Sequence, residues 1–249
     1  MKFVKIGDKM SAFFDYEHNP LNQFEPFSLN HIIPLLLVVI GVALIYIFRD
    51  QLGKPKYEKT IRYSIAIFAI FLEVTFQGWQ IYYGVWDLAD SLPLHLCRLT
   101  SYLGIIAMLT KNHKIFQIAY FWSLGGVVSI MFPDILHGPD RYRYYQFVIY
   151  HILFFYMYMY MLFVLKFKLT FKTFKNSYLI LLALVLFIII PGNNIFKMNY
   201  MYLLYPADTP FSIFKGHGYF LYIVGCLSLT TVIMILWYLP IHFYNKRKN

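Results

Sequence analysis

The apolar residues of this chain gather into seven separate blocks, each roughly twenty residues long and nearly free of charge. A bilayer hydrocarbon core is about 30 Å thick and takes roughly 20 apolar residues of helix to cross. Within it every backbone N–H and C=O must be paired, which leaves helices and closed barrels as the only spanning structures. Barrel strands would be about ten residues long and alternate apolar with polar, whereas these blocks stay apolar on every face for about twice that length. The sequence therefore predicts an all-α integral membrane bundle of seven transmembrane helices, at about 29–48, 61–83, 92–109, 115–132, 144–167, 178–196 and 219–243. Charged residues make up 14% of the chain, against about 25% in soluble domains, and no room remains for a second folded unit.

Orientation follows from lysine and arginine, because short positive loops stay in the cytoplasm. Arg49, Lys54, Lys56, Lys59 and Arg62 follow the first block, and Lys111 and Lys114 the third. Lys166, Lys168, Lys172 and Lys175 follow the fifth, and Lys246, Arg247 and Lys248 end the chain. The other loops carry Asp87, Asp90, Asp134, Asp140 and Asp208 with fewer bases. An odd number of spans with the C-terminus inside puts the N-terminus outside. The expected division is an extracellular segment at 1–28, a seven-helix membrane domain at 29–243 and a basic cytoplasmic tail at 244–249. The first twenty residues hold Asp8, Asp15 and Glu17 and lack the apolar core of a signal peptide.

The net charge of +10 sits at helix ends, not on a basic patch interleaved with aromatics, so no nucleic-acid partner is expected. Cys97 and Cys226 both fall in apolar blocks, without metal-ligand spacing or a disulfide framework; no metal and no diffusible cofactor are expected. Trp79, Tyr82, Tyr83, Trp86 and Trp237 suit an interfacial aromatic belt. Gly125, Gly126 and Ser129 suit a small-residue packing seam. The alternating Tyr and Met run at 156–161 packs a helix, and Pro191-Gly192-Asn193-Asn194 is expected to interrupt the sixth span.

An ionisable group inside the hydrocarbon costs about 2.5 to 3.5 kcal/mol on insertion scales, so each one asks for a partner or a task. Here they share one depth in the outer half. Glu73, Gln77 and Gln80 form a stripe on the outward-running second span. His95, Cys97 and Arg98 lie in the first two turns of the third, Asp134 ends the fourth, and His151 lies two turns into the fifth. Glu73 and Arg98 could form an internal ion pair that fixes packing, or Arg98 could hold a phosphate through its bidentate donors. Cys97 could be a small apolar filler or, with a histidine taking its proton, a nucleophile. His151 on another helix is the easier base. His95, two residues away, is expected on the far side of the same helix. Cys226, with Tyr222 and Thr230, reads as packing.

Four ordered strings, LPLHLCRLTSYL (92–103), LTKNHKIFQIAYFWSLGGVVSIMFPD (109–134), RYYQFVIYH (143–151) and NYMYLLYP (199–206), resemble the YwaF family of bacterial multi-pass membrane proteins. That family is related to the eukaryotic transmembrane protein 164 group, phospholipid acyltransferases that use a Cys and a His. The resemblance implies a place in the bacterial cytoplasmic membrane, membrane phospholipid as partner, and Cys97 and His151 in those two positions. The resulting expectation is an acyltransferase in which Cys97 takes an acyl group from a phospholipid, with His151 as general base, and passes it to a lysolipid or lipid-linked acceptor. Arg98 would bind the headgroup phosphate, with His95, Glu73, Gln77 and Asp134 at the substrate site. The rival is a transporter or lipid- or solute-binding protein, with Glu73, Arg98, His95 and His151 along a substrate or proton path. A structural subunit is the third possibility.

Overall fold

The computed structural model describes residues 12–206 and 210–246. Asp8, Asp208, Arg247 and Lys248, which entered the reading of the termini and loops, lie outside the described residues. Among the described residues the fold is helical, apart from one isolated bridge between Gln23 and His137. The principal helices are α1 (Leu29–Ile47), α2 (Pro55–Tyr82), α3 (Leu96–Thr110), α4 (His113–Met131), α5 (Tyr142–Phe163), α6 (Phe171–Phe196) and α7 (Tyr219–Lys246). All but α3 are long and apolar enough to cross a membrane.

α3 has 15 residues and α2 has 28, about 23 Å against about 42 Å at 1.5 Å per residue. A helix from residue 92 was expected; α3 begins only at Leu96, with His95 extended (φ −68°, ψ 139°) as its N-cap. Pro93 explains the difference, since it pushes Leu92 out of helical geometry and has no N–H to give. The late start leaves the first turn of α3 recessed at the end of the bundle where α2, α4 and α6 finish and α3, α5 and α7 begin, the site end.

α5 is the hub, packed against α1, α2, α3 and α4. Its Tyr and Met run is helical, as expected. Met157, Tyr158 and Met161 are fully buried, and the Tyr158 hydroxyl donates to the Thr100 carbonyl of α3 at 2.7 Å. α6 and α7 pack on α4 away from α1. α4 passes through a 3-10 turn at Tyr120–Ser123. α6 passes through a π turn at Val185–Ile189 and then runs on to Phe196, so the expected interruption at Pro191 is absent. The wider π turn moves the carbonyl that the proline ring would otherwise strike. Asn193 instead fastens the following loop, donating to the Tyr200 carbonyl at 2.8 Å and accepting from the Tyr200 N–H at 3.0 Å.

The N-terminal segment lies across the site end. The Trp79 indole donates to the Phe14 carbonyl at 2.6 Å, His137 Nε2 to the Tyr16 carbonyl at 2.8 Å, and Arg141 Nε to the Glu17 carbonyl at 3.0 Å. Trp79 is thereby buried under this segment and does not join an interfacial belt. At the opposite, lysine-rich end Arg62 joins Glu58 at 2.7 Å and caps the Met108 and Leu109 carbonyls of α3.

Candidate functional site

α3, α4, α6 and α7 surround a cavity of about 230 Å³. Its deeper wall is apolar, including Phe121, Leu181, Val185, Leu227 and Met234, and its site end carries His95, Cys97, Ser129 and Tyr202. The lining of α7 runs from Tyr222 to Met234, about 18 Å of helix, comparable with the roughly 15 Å of hydrocarbon in one leaflet. The cavity exists because α4 presents glycine and serine here. A Cβ on Gly125 would come 3.9 Å from Cys97 Sγ, and Ser129 Oγ lies 3.4 Å from that sulfur.

Cys97 is the second residue of α3. The His95 side chain makes no capping bond, so the first turn of α3 presents its uncapped N–H groups beside the thiol. A helix N-terminus favours negative charge, and such N–H groups are the donors an oxyanion needs. His95 lines the same cavity; the expectation that it faces away from Cys97 fails because an extended N-cap does not follow helical angular spacing. His95 Nε2 donates to Asp90 Oδ1 at 2.8 Å, and that bond holds the Asp90 carboxyl below the usual carboxylate range. The lone pair of a neutral ring is then left on Nδ1.

His151 stands on the other side of α4. Its Nδ1 donates to the Phe147 carbonyl at 2.7 Å, which leaves Nε2 as the basic nitrogen of the neutral ring. The ring lies against Phe147 and Phe154, with centroids 4.2 and 5.5 Å away. No hydrogen bond joins it to Cys97, and it does not line the cavity. The two meet through the glycine pair: Gly125 borders the thiol, and a Cβ on Gly126 would sit 3.0 Å from the His151 carbonyl.

Glu73 is buried and held by Gln77 at 2.7 Å and the Tyr102 hydroxyl at 2.9 Å. Arg98 Nε approaches it to 4.0 Å, while Arg98 Nη1 donates to the Ser91 carbonyl at 2.7 Å. Arg98 thus splits its donors between a loose ion pair and loop carbonyls. Asp134 is exposed in the loop after α4, next to Tyr202. Sequence reading missed Ser129 as the thiol's neighbour, Tyr102 as the partner of Glu73, and Arg143. The Arg143 guanidinium lies 4.6 Å from the Phe76 ring centre, and that of Arg98 lies 5.0 Å from it. Arg143 is visible in the sequence as a charge at the start of the fifth span.

The sequence profile of the TMEM164 family matches residues 26–238. The chain belongs to the TMEM164 family. The matched stretch contains Cys97, His151 and every residue that lines the cavity. This TMEM164-family member is thus a helical, multi-pass membrane protein, with the thiol of α3 facing a partly open apolar space. The chain is also similar to an uncharacterized protein of Treponema pallidum (strain Nichols), 30% identical over 64 residues. That likeness covers 26% of this chain and 27% of the relative, so only about a quarter of the relative's length is spanned. No solved structure matches the chain.

Proposed function

We propose that this protein is a phospholipid acyltransferase of the bacterial cytoplasmic membrane, of the YwaF type within the TMEM164 family. In this reading all seven helices span, with α3 completed by the Leu92–His95 stretch, the N-terminus and the site end outside and the lysine-rich end in the cytoplasm. The observation that carries it is a thiol, Cys97, at a helix N-terminus and at the polar end of an apolar cavity about a leaflet deep. An acyl chain would fill the cavity and leave its ester carbonyl beside the sulfur.

Cys97 Sγ attacks the ester carbonyl carbon as its proton passes to a histidine. The uncapped N–H groups of α3, with Ser129 Oγ, face the resulting oxyanion. Collapse breaks the acyl C–O bond, the histidine returns the proton to the departing lysophospholipid hydroxyl, and a thioester remains on Cys97. The hydroxyl of the acceptor lipid then attacks that thioester, giving its proton through the histidine to the sulfur. His151 is the base that the family resemblance implies, and a basic Nε2 suits it. His95 is the second reading, favoured by its place in the cavity with Cys97 and by the carboxylate of Asp90 behind it.

A transporter loses its chief sequence support with the continuous α6. Transfer from a phospholipid with a labelled acyl chain to a lysolipid, by purified protein in bilayer discs, tests the proposal. Cys97→Ala should abolish transfer. His151→Ala should lower it at least about 100-fold while His95→Ala lowers it less; the reverse order would make His95 the base. Equal transfer by wild type and Cys97→Ala sinks the mechanism.

A further inference from the structure

Arg143 is the second residue of α5, at the site end and at the level where a membrane helix meets the headgroups. Its Nη1 donates to the neutral Gln146 amide oxygen at 2.5 Å, and among the described residues no carboxylate lies within 4.0 Å of it. Its guanidinium and that of Arg98 both lie against the Phe76 ring, so two like charges share one small neighbourhood. Glu73, the acid facing them from α2, stands at 4.0 Å from Arg98 and already accepts from Gln77 and Tyr102. Asp90 is bound to His95, with its side chain 72% exposed. Gln77 and Tyr102 both donate to Glu73 Oε1, while Oε2 is buried without a hydrogen-bond partner. The partly buried Arg143 guanidinium is the one left without an acid in contact, which is costly at the edge of hydrocarbon.

We propose that Arg98 and Arg143 together form an anion site for the headgroup phosphate of a glycerophospholipid at the site end of the bundle; neither arginine lines the Cys97 cavity itself. This rests on the acyl-transfer reading and adds a residue and a chemical class to it. Arg98 follows Cys97 directly on α3, so the anion site and the thiol share the same end of that helix. Tyr202, which lines the cavity, is also within electrostatic reach of Arg143. In a glycerophospholipid the ester carbonyls sit a few bonds below the phosphate and the chains run on from there. The order of groups along the protein is the same: paired guanidiniums, thiol, apolar cavity. The planar fork of arginine binds phosphate through two parallel N–H bonds, and both guanidiniums lie within 5.0 Å of the Phe76 ring centre.

The test is binding, measured in a Cys97→Ala background so that no turnover intervenes. A short-chain phosphatidylglycerol, the diacylglycerol with the same chains and inorganic phosphate are titrated against detergent-purified protein, following Trp fluorescence and melting temperature. The phospholipid should bind about 10- to 100-fold more weakly to Arg143→Gln. Arg143→Lys should recover part of the affinity, because it restores the charge without the fork. Diacylglycerol should bind both forms alike. Unchanged phospholipid affinity in Arg143→Gln, with an unliganded melting temperature equal to that of the parent, would overturn the site. Inorganic phosphate binding as tightly as the phospholipid would assign it to a soluble anion and overturn the headgroup assignment. Retained acyl transfer in Cys97→Ala would end the catalytic reading while leaving this binding result standing.

Discussion

Replacing Gly126 by alanine should loosen the bundle where α4 crosses α5, and the same change one residue earlier should not. A methyl on Gly126 would lie 2.5 Å from Phe154 Cζ, 2.8 Å from its Cε2 and 3.0 Å from the His151 carbonyl. Phe154 is fully buried and the carbonyl belongs to the backbone of the hub helix, so neither can swing aside. Restoring carbon contacts of about 3.5 to 4.0 Å requires the two helices to part. Overpacking of this kind costs about 1 to 3 kcal/mol, offset by up to about 1 kcal/mol from replacing glycine inside a helix. At Gly125 the nearest atoms are Cys97 Sγ and Leu96 Cδ2, both 3.9 Å away, an ordinary contact, so only the helix-propensity gain remains. The two alanine variants should therefore differ by about 1 to 3 kcal/mol. At about 2 to 4 °C per kcal/mol for a chain of this size, that is a melting-temperature gap of roughly 2 to 12 °C, with Gly126→Ala the lower. Thermal unfolding of both in one detergent, followed by the fraction surviving gel filtration after heating, measures the gap. A Gly126→Ala protein as stable as Gly125→Ala would refute the placement of α4 against α5.

Burial lowers the His137 pKa below its ordinary value, so the folded loop prefers the neutral ring. Its contribution is intact above the unfolded value of about 6.5 and is lost as pH falls from there toward the folded value, because the unfolded chain then binds more protons. Hydrogen-exchange protection factors across residues 12–28, taken relative to the intrinsic rate at each pH, should fall between pH 7.5 and 5.5 in wild type and stay flatter in His137→Asn. Asn193→Leu removes both bonds to the Tyr200 backbone and should cost about 1 to 3 kcal/mol. Its melting temperature checks this, and an unchanged value would mean that the loop is held by other contacts. Cys226, with Tyr222 and Thr230, lines the cavity wall on α7, so Cys226→Ala should alter acyl-chain preference in the transfer assay while an added acyl mass still forms on Cys97; loss of that mass, as in Cys97→Ala, would move the nucleophile.

The helices were legible because membrane insertion writes itself into composition: the boundaries of α1, α4 and α7 fall within two or three residues of those read from the apolar blocks. The exceptions have local causes. Pro93 delays α3, and a π turn, which no composition signals, lets α6 run through Pro191. The polar residues were legible as a set sharing one depth, since depth follows from position along each helix. Their partners were not, because rotation about the helix axis decides whether His95 or His151 faces Cys97, and capping geometry set that rotation for His95. The packing of Gly125 against Cys97 and of Gly126 against Phe154 and the His151 carbonyl is tertiary, as is the convergence of Arg98 and Arg143 on Phe76.

The central claim is that Cys97 carries an acyl group. Purified protein incubated with a phospholipid donor and no acceptor, quenched in acid and weighed intact, should show one added acyl mass, released by neutral hydroxylamine and located on Cys97. Wild-type protein that transfers acyl chains yet never gains that mass, or gains it equally as Cys97→Ala, would contradict it.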